Sequence, residues 1–287
     1  MKPAGLPISM GDAARALRDA AQRLAEISDS PRLDAELLMA HALQIERPEL
    51  LLKLPDWNAP AEYSALVERR RQSEPIAHIV GKKEFWGLDF QVTPDVLIPR
   101  PDSELLIEEA VRMFSSAHPR RIADLGTGSG ALLLAALQEF PQAVGWGIDA
   151  SPAALQIAHN NADGLGMADR ARFVLLDWTQ DGWTDSLGSG FDLILANPPY
   201  VSTLAQLPAD VADFEPHQAL FAGEEGLDDY RIIIPALEKL LSPTGTALLE
   251  IGFDQANPVS QIAEKSGYHA DLKQDLSGND RLVILRR

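Results

Sequence analysis

"RIADLGTGSGALLLAALQEF", residues 121–140, passes from a short apolar run through three glycines into a helical pattern. A strand that turns over glycine straight into a helix is one unit of an α/β sheet. Working outward, the same kind of apolar run returns as "AVGWGID" (143–149), "RFVLLD" (172–177), "FDLILAN" (191–197) and "TALLEIG" (246–252). Each is short enough and apolar enough for a strand buried on both faces, and helical patterns such as "SPAALQIAHNNADGLG" lie between most of them. The rhythm predicts a mainly parallel sheet with helices on both faces. "RLVILRR" (281–287) fits a final strand, antiparallel at the end of the sheet.

Upstream the pattern changes. Residues 12–27 place Ala13, Leu17, Ala20, Leu24 and Ile27 along one helical face. "SPRLDAELLMAHAL" opens with Ser30 as N-cap and Pro31 at the first helical position, then carries Leu33, Leu37, Leu38 and Met39 as a core face. Pro48 and Pro60 read as first-turn residues of further short helices, the last ending near Arg69, Arg70 and Arg71, which read as solvated helix-end charges. The expected organisation is a small all-α domain over residues 1–75, a linker with a β-hairpin over 76–105, and the α/β domain over 106–287.

The chain of 287 residues carries 42 acidic and 25 basic side chains, net −17. The excess is uneven: residues 1–75 hold 12 acidic and 10 basic groups, whereas residues 76–287 hold 30 and 15. So acidic a surface repels a nucleic-acid backbone unless it conceals a basic patch. There is no cysteine, which excludes disulfides, thiolate metal sites and a cysteine nucleophile. No apolar stretch approaches the roughly 20 residues needed to span a bilayer, and "MKPAGLPISMGD" has no run suited to a signal peptide. The expected location is the cytoplasm, with no membrane partner.

In a parallel α/β sheet, ligands bind beyond the carboxyl ends of the strands near the switch in strand order. Four strand ends are therefore the place to look. The first carries Gly126, Thr127, Gly128, Ser129 and Gly130. This is either a tight turn or a loop that lets backbone approach a ligand, and its G-x-G-x-G spacing fits the dinucleotide fingerprint G-x-G-x-x-G poorly. The second ends in Asp149, a candidate acceptor for a ribose diol or an N-cap carboxylate for the helix that starts at Ser151 and Pro152. The third ends in Asp177 and Trp178, which could accept from an adenine amino group and pack on its ring.

The fourth strand ends in Asn197-Pro198-Pro199-Tyr200. Two prolines cannot continue a sheet and form a stiff extended segment. Asn197 Oδ1, together with a carbonyl fixed by the prolines, can accept both hydrogens of a planar NH2 and ease charge as its nitrogen attacks, while Tyr200 lies against the planar group. The alternative is a polyproline turn or a partner-docking segment.

These residues resemble class I S-adenosylmethionine-dependent methyltransferases, and within them the amino-methylating group marked by N-P-P-Y. Residues 74–110, "EPIAHIVGKKEFWGLDFQVTPDVLIPRPDSELLIEEA", with "DLGTGSG", "ANPPYV" and "FEPHQALFAGEEGLDDYRIII" (214–234), extend the likeness to the N5-glutamine methyltransferases of peptide-chain release factors, the PrmC (HemK) family. Ala222 stands where that family often has glycine, and His78 where it often has tyrosine. The resemblance implies a Rossmann-like fold, with S-adenosylmethionine on Gly126–Gly130, Asp149, Asp177, Trp178 and Asn197. It also implies that residues 197–200 hold the glutamine amide of a Gly-Gly-Gln motif, that Arg100 and Glu104 shape the substrate pocket, and that the N-terminal helices recognise the release factor. The expected products are N5-methylglutamine and S-adenosylhomocysteine, and the expected protein is a monomer that holds no nucleic acid. No metal is implied, since His41, His78, His118, His159, His217 and His269 are too scattered to show ligand spacing.

Three other readings stay open from sequence: a sister enzyme methylating a ribosomal-protein glutamine, a nucleic-acid amino-methyltransferase, and a non-catalytic nucleoside-binding module. The second lacks the basic groove that phosphates and base flipping require. A dehydrogenase leaves N-P-P-Y without a purpose.

Overall fold

A computed structural model describes residues 12–287, so the first eleven residues of the expected helical domain lie outside the described residues. The chain divides into two compact units, residues 1–81 and 82–287.

The first unit contains α1 (Ala13–Leu24), α2 (Pro31–Leu43), α3 (Arg47–Leu52), α4 (Tyr63–Arg71) and α5 (Ile76–Val80). Leu17, Leu24, Leu38, Met39, Leu50 and Val67 are buried in its core. The α1 stripe at Ala13, Leu17, Ala20 and Leu24 is buried, but Ile27 lies beyond the helix end and is exposed. On α2 the buried face is rotated from the expected one. Leu33 is exposed and Leu37 half-buried, whereas Asp34 and Glu36 are buried. Ion pairs explain this: Asp34 meets Arg70 at 2.8 Å, and Glu36 is gripped by Arg32 and Arg47. Arg70 is accordingly a buried partner, while Arg69 and Arg71 remain half-exposed beside Glu74 and Glu68. Ser30 occupies the N-cap position of α2 but makes no side-chain cap bond. Pro48 falls in the first turn of α3, but Pro60 precedes α4 and accepts from the Tyr63 N–H. Residues 76–80 were expected to begin the linker and instead form α5, because Ile76 and Ile79 pack into this core and Gly81 at φ +79° ends the helix.

The second unit opens with a hairpin of β1 (Lys82–Phe85) and β2 (Leu88–Gln91), turned through Trp86 and Gly87, both at positive φ. After α6 (Glu104–Met113) come β3 (Arg121–Leu125), α7 (Ala131–Glu139), β4 (Val144–Asp149), α8 (Pro152–Gly164), β5 (Ala171–Leu175), α9 (Trp183–Leu187) and β6 (Phe191–Ala196). The chain continues through α10 (Ala209–Ala212), α11 (Asp228–Leu240), β7 (Leu241–Glu250), α12 (Ala256–Lys265), β8 (His269–Gln274) and β9 (Asp280–Arg286). The seven strands run in the order β5-β4-β3-β6-β7-β9-β8, parallel except that β9 is antiparallel to both its neighbours.

Alternation along the strands sends side chains to two cores. Ile122, Leu193, Leu195 and Leu248 meet α6 and α7 on one face, and Ala123, Leu125, Ile194 and Leu249 meet α11 and α12 on the other. From β3 the chain steps outward through β4 and β5, then returns to β6 on the opposite side of β3. The carboxyl ends of β3 and β6 therefore flank the switch point where such sheets open a crevice. Among the described residues no helix is long and apolar enough to cross a membrane.

Candidate active site

Beyond β3 the loop 126–130 is drawn onto the next strand. The N–H groups of Gly126 and Thr127 both donate to the Ile148 carbonyl of β4, at 3.0 and 2.8 Å. Gly126 has φ +76°, and a Cβ there would lie 3.1 Å from the Trp178 ring, so glycine answers both a backbone and a space requirement. Gly130, at φ +82°, starts α7. Asp149, at the end of β4, accepts from the Gly128 N–H with Oδ2 and from the Ser151 N–H with Oδ1, each at 2.9 Å. It is thus a clasp between the loop and the start of α8, and each oxygen keeps a lone pair for a ligand. Burial raises its pKa against the pull of those backbone donors.

Asp124, fully buried at the end of β3, accepts from the Thr127 hydroxyl at 2.6 Å through Oδ2, while Oδ1 has no partner. Burial pushes this carboxyl up to about 7, with the Thr127 hydrogen bond opposing the shift. Asp177 follows β5 and accepts from Thr179 and Gln180, which hold its pKa below the usual range. Trp178 beside it donates from Nε1 to Asp229 Oδ1 of α11 at 2.6 Å, which fixes the plane of the indole.

These elements surround one cleft. Gly126, Thr127, Gly128, Ser129, Asp149, Asp177 and Trp178 line one part of it, and Asn197, Pro199, Arg100 and Ser103 another. Phe85 from the hairpin and Pro216, Gln218 and Ala219 from the segment after α10 complete the walls. Arg100 is ion-paired with Glu215, a buried carboxylate whose Oε2 also accepts from the Ile98 N–H. The pair straps residues 98–100 to the segment that begins at 215. Burial raises the Glu215 pKa, opposed by Arg100.

Four residues read as ligand contacts stand elsewhere. Glu104 accepts from the Trp86 N–H at 2.9 Å and so supports the hairpin turn instead of lining the cleft. Pro198 is buried, and Gly130 serves the helix start. Tyr200 does not line the cleft either; its hydroxyl donates to Glu250 Oε1 at 3.3 Å, and its ring packs on the core against α11 and α12. Burial and the Glu250 charge raise its pKa, so the phenol stays neutral. Ser103, Glu215, Asp229 and Glu250, which hold these groups, carry no motif of their own. For Glu250 a signal existed, because a charge inside "TALLEIG" must be buried at a strand's carboxyl end.

The residues fit S-adenosylmethionine on two counts: carboxylate lone pairs beside a glycine loop, and an indole held in place against that loop, all lining one cleft.

Two family models match the chain: a PrmC N-terminal domain over residues 15–81 and a methyltransferase domain over residues 119–281. A protein of Cereibacter sphaeroides called release factor glutamine methyltransferase is 42% identical over 282 residues, spanning 96% of this chain and 98% of its own. One of the same name from Moorella thermoacetica is 40% identical over 281 residues, spanning 95% and 98%. Among solved structures, a methyltransferase from Pyrococcus furiosus superposes with a TM-score of 0.53 at 16% identity, covering 79% of this chain and 98% of that one, a likeness of fold alone.

Proposed function

The chain belongs to the release factor glutamine methyltransferases, and from that premise we propose that it methylates N5 of the glutamine in the Gly-Gly-Gln motif of a peptide-chain release factor. The observation that carries this reading is the position of Asn197, which ends the strand adjacent to the one that ends in the glycine loop, with both ends lining one cleft. When bound, S-adenosylmethionine supplies an electrophilic methyl group on sulfur. Gly126–Ser129, Asp149 and the Asp177-Trp178 turn, which line the cleft, would hold it. Asn197 Oδ1 and a carbonyl of the N-P-P turn accept the two hydrogens of the glutamine amide and aim its nitrogen. Transfer to that nitrogen, with its extra proton passing to solvent, would give N5-methylglutamine and S-adenosylhomocysteine. These residues act by positioning and by stabilising charge, which needs no general base.

Tyr200 supports the turn through Glu250, Arg100 shapes the rim through Glu215, and the helical unit recognises the release factor. The setting is the cytoplasm, and the enzyme works as a monomer without contacting nucleic acid. The test is transfer of labelled methyl to purified release factor, beside a copy with the Gly-Gly-Gln glutamine replaced, a ribosomal-protein control and a nucleic-acid control. Label on the intact factor alone is expected. Label on ribosomal protein or nucleic acid instead would move the enzyme to another acceptor class.

A further inference from the structure

A carboxamide can present either end to a cleft, since its oxygen and its NH2 have nearly the same shape. The function proposed above requires the Asn197 oxygen to face the acceptor, because two NH2 groups turned toward each other only repel. What chooses the end is a pair of side chains beside Asn197. Glu250, at the carboxyl end of β7, is 1% exposed, and its Oε2 accepts from the Ser103 hydroxyl at 2.5 Å. In its ionised form, which the Ser103 and Tyr200 hydrogen bonds favour, it has lone pairs only, so the single Ser103 proton points toward it. Toward Asn197, 3.2 Å away, Ser103 then offers only a lone pair, and the Asn197 atom facing it must be Nδ2 as donor. Oδ1 is left for the cleft that Asn197 lines. The Glu250 group is itself held, by Tyr200 Oη on its second oxygen and by Tyr230 Oη on its backbone carbonyl at 2.7 Å.

We propose that Ser103 and Glu250 are positioning residues that fix the polarity of the Asn197 amide, so that the site selects an acceptor bringing N–H donors, a carboxamide, over the isosteric carboxylate. This rests on the reading of Asn197 as the amide-holding residue. Ser103 and Glu250 come from segments 147 residues apart, one before α6 and one at the end of β7, and they meet beside Asn197.

The experiment compares full-length wild type, Ser103→Ala and Ser103→Thr. Three quantities are read: steady-state methyl transfer to release factor, calorimetric affinity for S-adenosylmethionine, and the Asn197 side-chain NH2 signal in asparagine-15N-labelled protein, assigned through Asn197→Asp. Losing the acceptor lets the amide rotate, so Ser103→Ala is expected to lower kcat roughly 10- to 100-fold. Cofactor affinity should stay within about threefold, and Ser103→Thr, which keeps the hydroxyl, should restore kcat to within about threefold. The hydrogen-bonded Nδ2 proton should shift upfield in the alanine variant and not in the threonine variant. Wild-type kcat in Ser103→Ala, or an Asn197 signal that ignores the hydroxyl, overturns the relay. A wild-type enzyme that labels no release factor removes the functional reading instead, and the Asn197 signal still decides the relay.

Discussion

Asn197 and Asp149 divide the proposed work, and the division can be measured. Asn197→Ala removes an interaction made in the transition state, so kcat is expected to fall about 100-fold or more while cofactor affinity stays within about tenfold. Asp149→Ala removes the proposed ligand acceptor and also frees the Gly128 and Ser151 N–H groups, so it should weaken cofactor binding by about tenfold or more. Calorimetry on both variants, beside transfer kinetics, checks the contrast; equal loss of binding and rate in Asn197→Ala would end it. The placement of Asn197, Asp149 and the glycines at the strand ends was legible because each stands at the close of an apolar run, where the sheet forces it to one end. Their partners were not. Ser103, Asp229 and Glu215 lie in segments whose local pattern says nothing of what they will touch, and only the packed sheet brings them behind the strand ends. Tyr200 and Glu104 show the opposite failure, since adjacency to a motif did not decide which way a side chain turns.

At the scale of elements, the loop after β3 is closely constrained. Gly126→Ala should cost about 1–2 kcal/mol for the left-handed backbone alone. The added methyl also meets the Trp178 ring at 3.1 Å and must push it. A lower urea midpoint, altered tryptophan fluorescence and weaker cofactor binding are expected together; a loss of stability without any change at Trp178 would show that only the backbone matters there. The strands along the sheet centre were readable because burial on both faces makes them continuously apolar. β8 escaped, since "HADLKQ" alternates at an edge where one face meets solvent. Likewise α2 was read a partial turn out of phase: helical spacing finds apolar stripes, but Asp34 and Glu36 are buried by ion pairs that no stripe announces.

For the molecule as a whole, acidity has a thermodynamic signature. Burial raises the carboxyls of Asp124 and Glu250 to about 7, and pushes Asp149, Glu215 and Asp229 upward as well. Around Glu250, Ser103, Tyr200 and Arg281 favour the ionised form, while burial and Asp102 oppose it, and burial wins. A carboxyl whose folded pKa is raised binds its proton more tightly folded than unfolded. Its contribution is fully present below the ordinary carboxylate range and is lost as pH rises through about 7. The urea midpoint should therefore be higher at pH 5.5 than at pH 8, and Glu250→Gln should flatten that slope; an unchanged slope would remove Glu250 from the account. One further consequence follows from the pairing of Leu125 with Ala196, the last rungs between β3 and β6. Since a strand advances about 3.3 Å per residue and a one-step slip turns every side chain over, the gap between the glycine loop and the N-P-P turn is gauged by that ladder, not by loop length. Anyone transplanting this chemistry into another sheet would have to move the paired strands with it, because the tips alone carry no measure of their own separation.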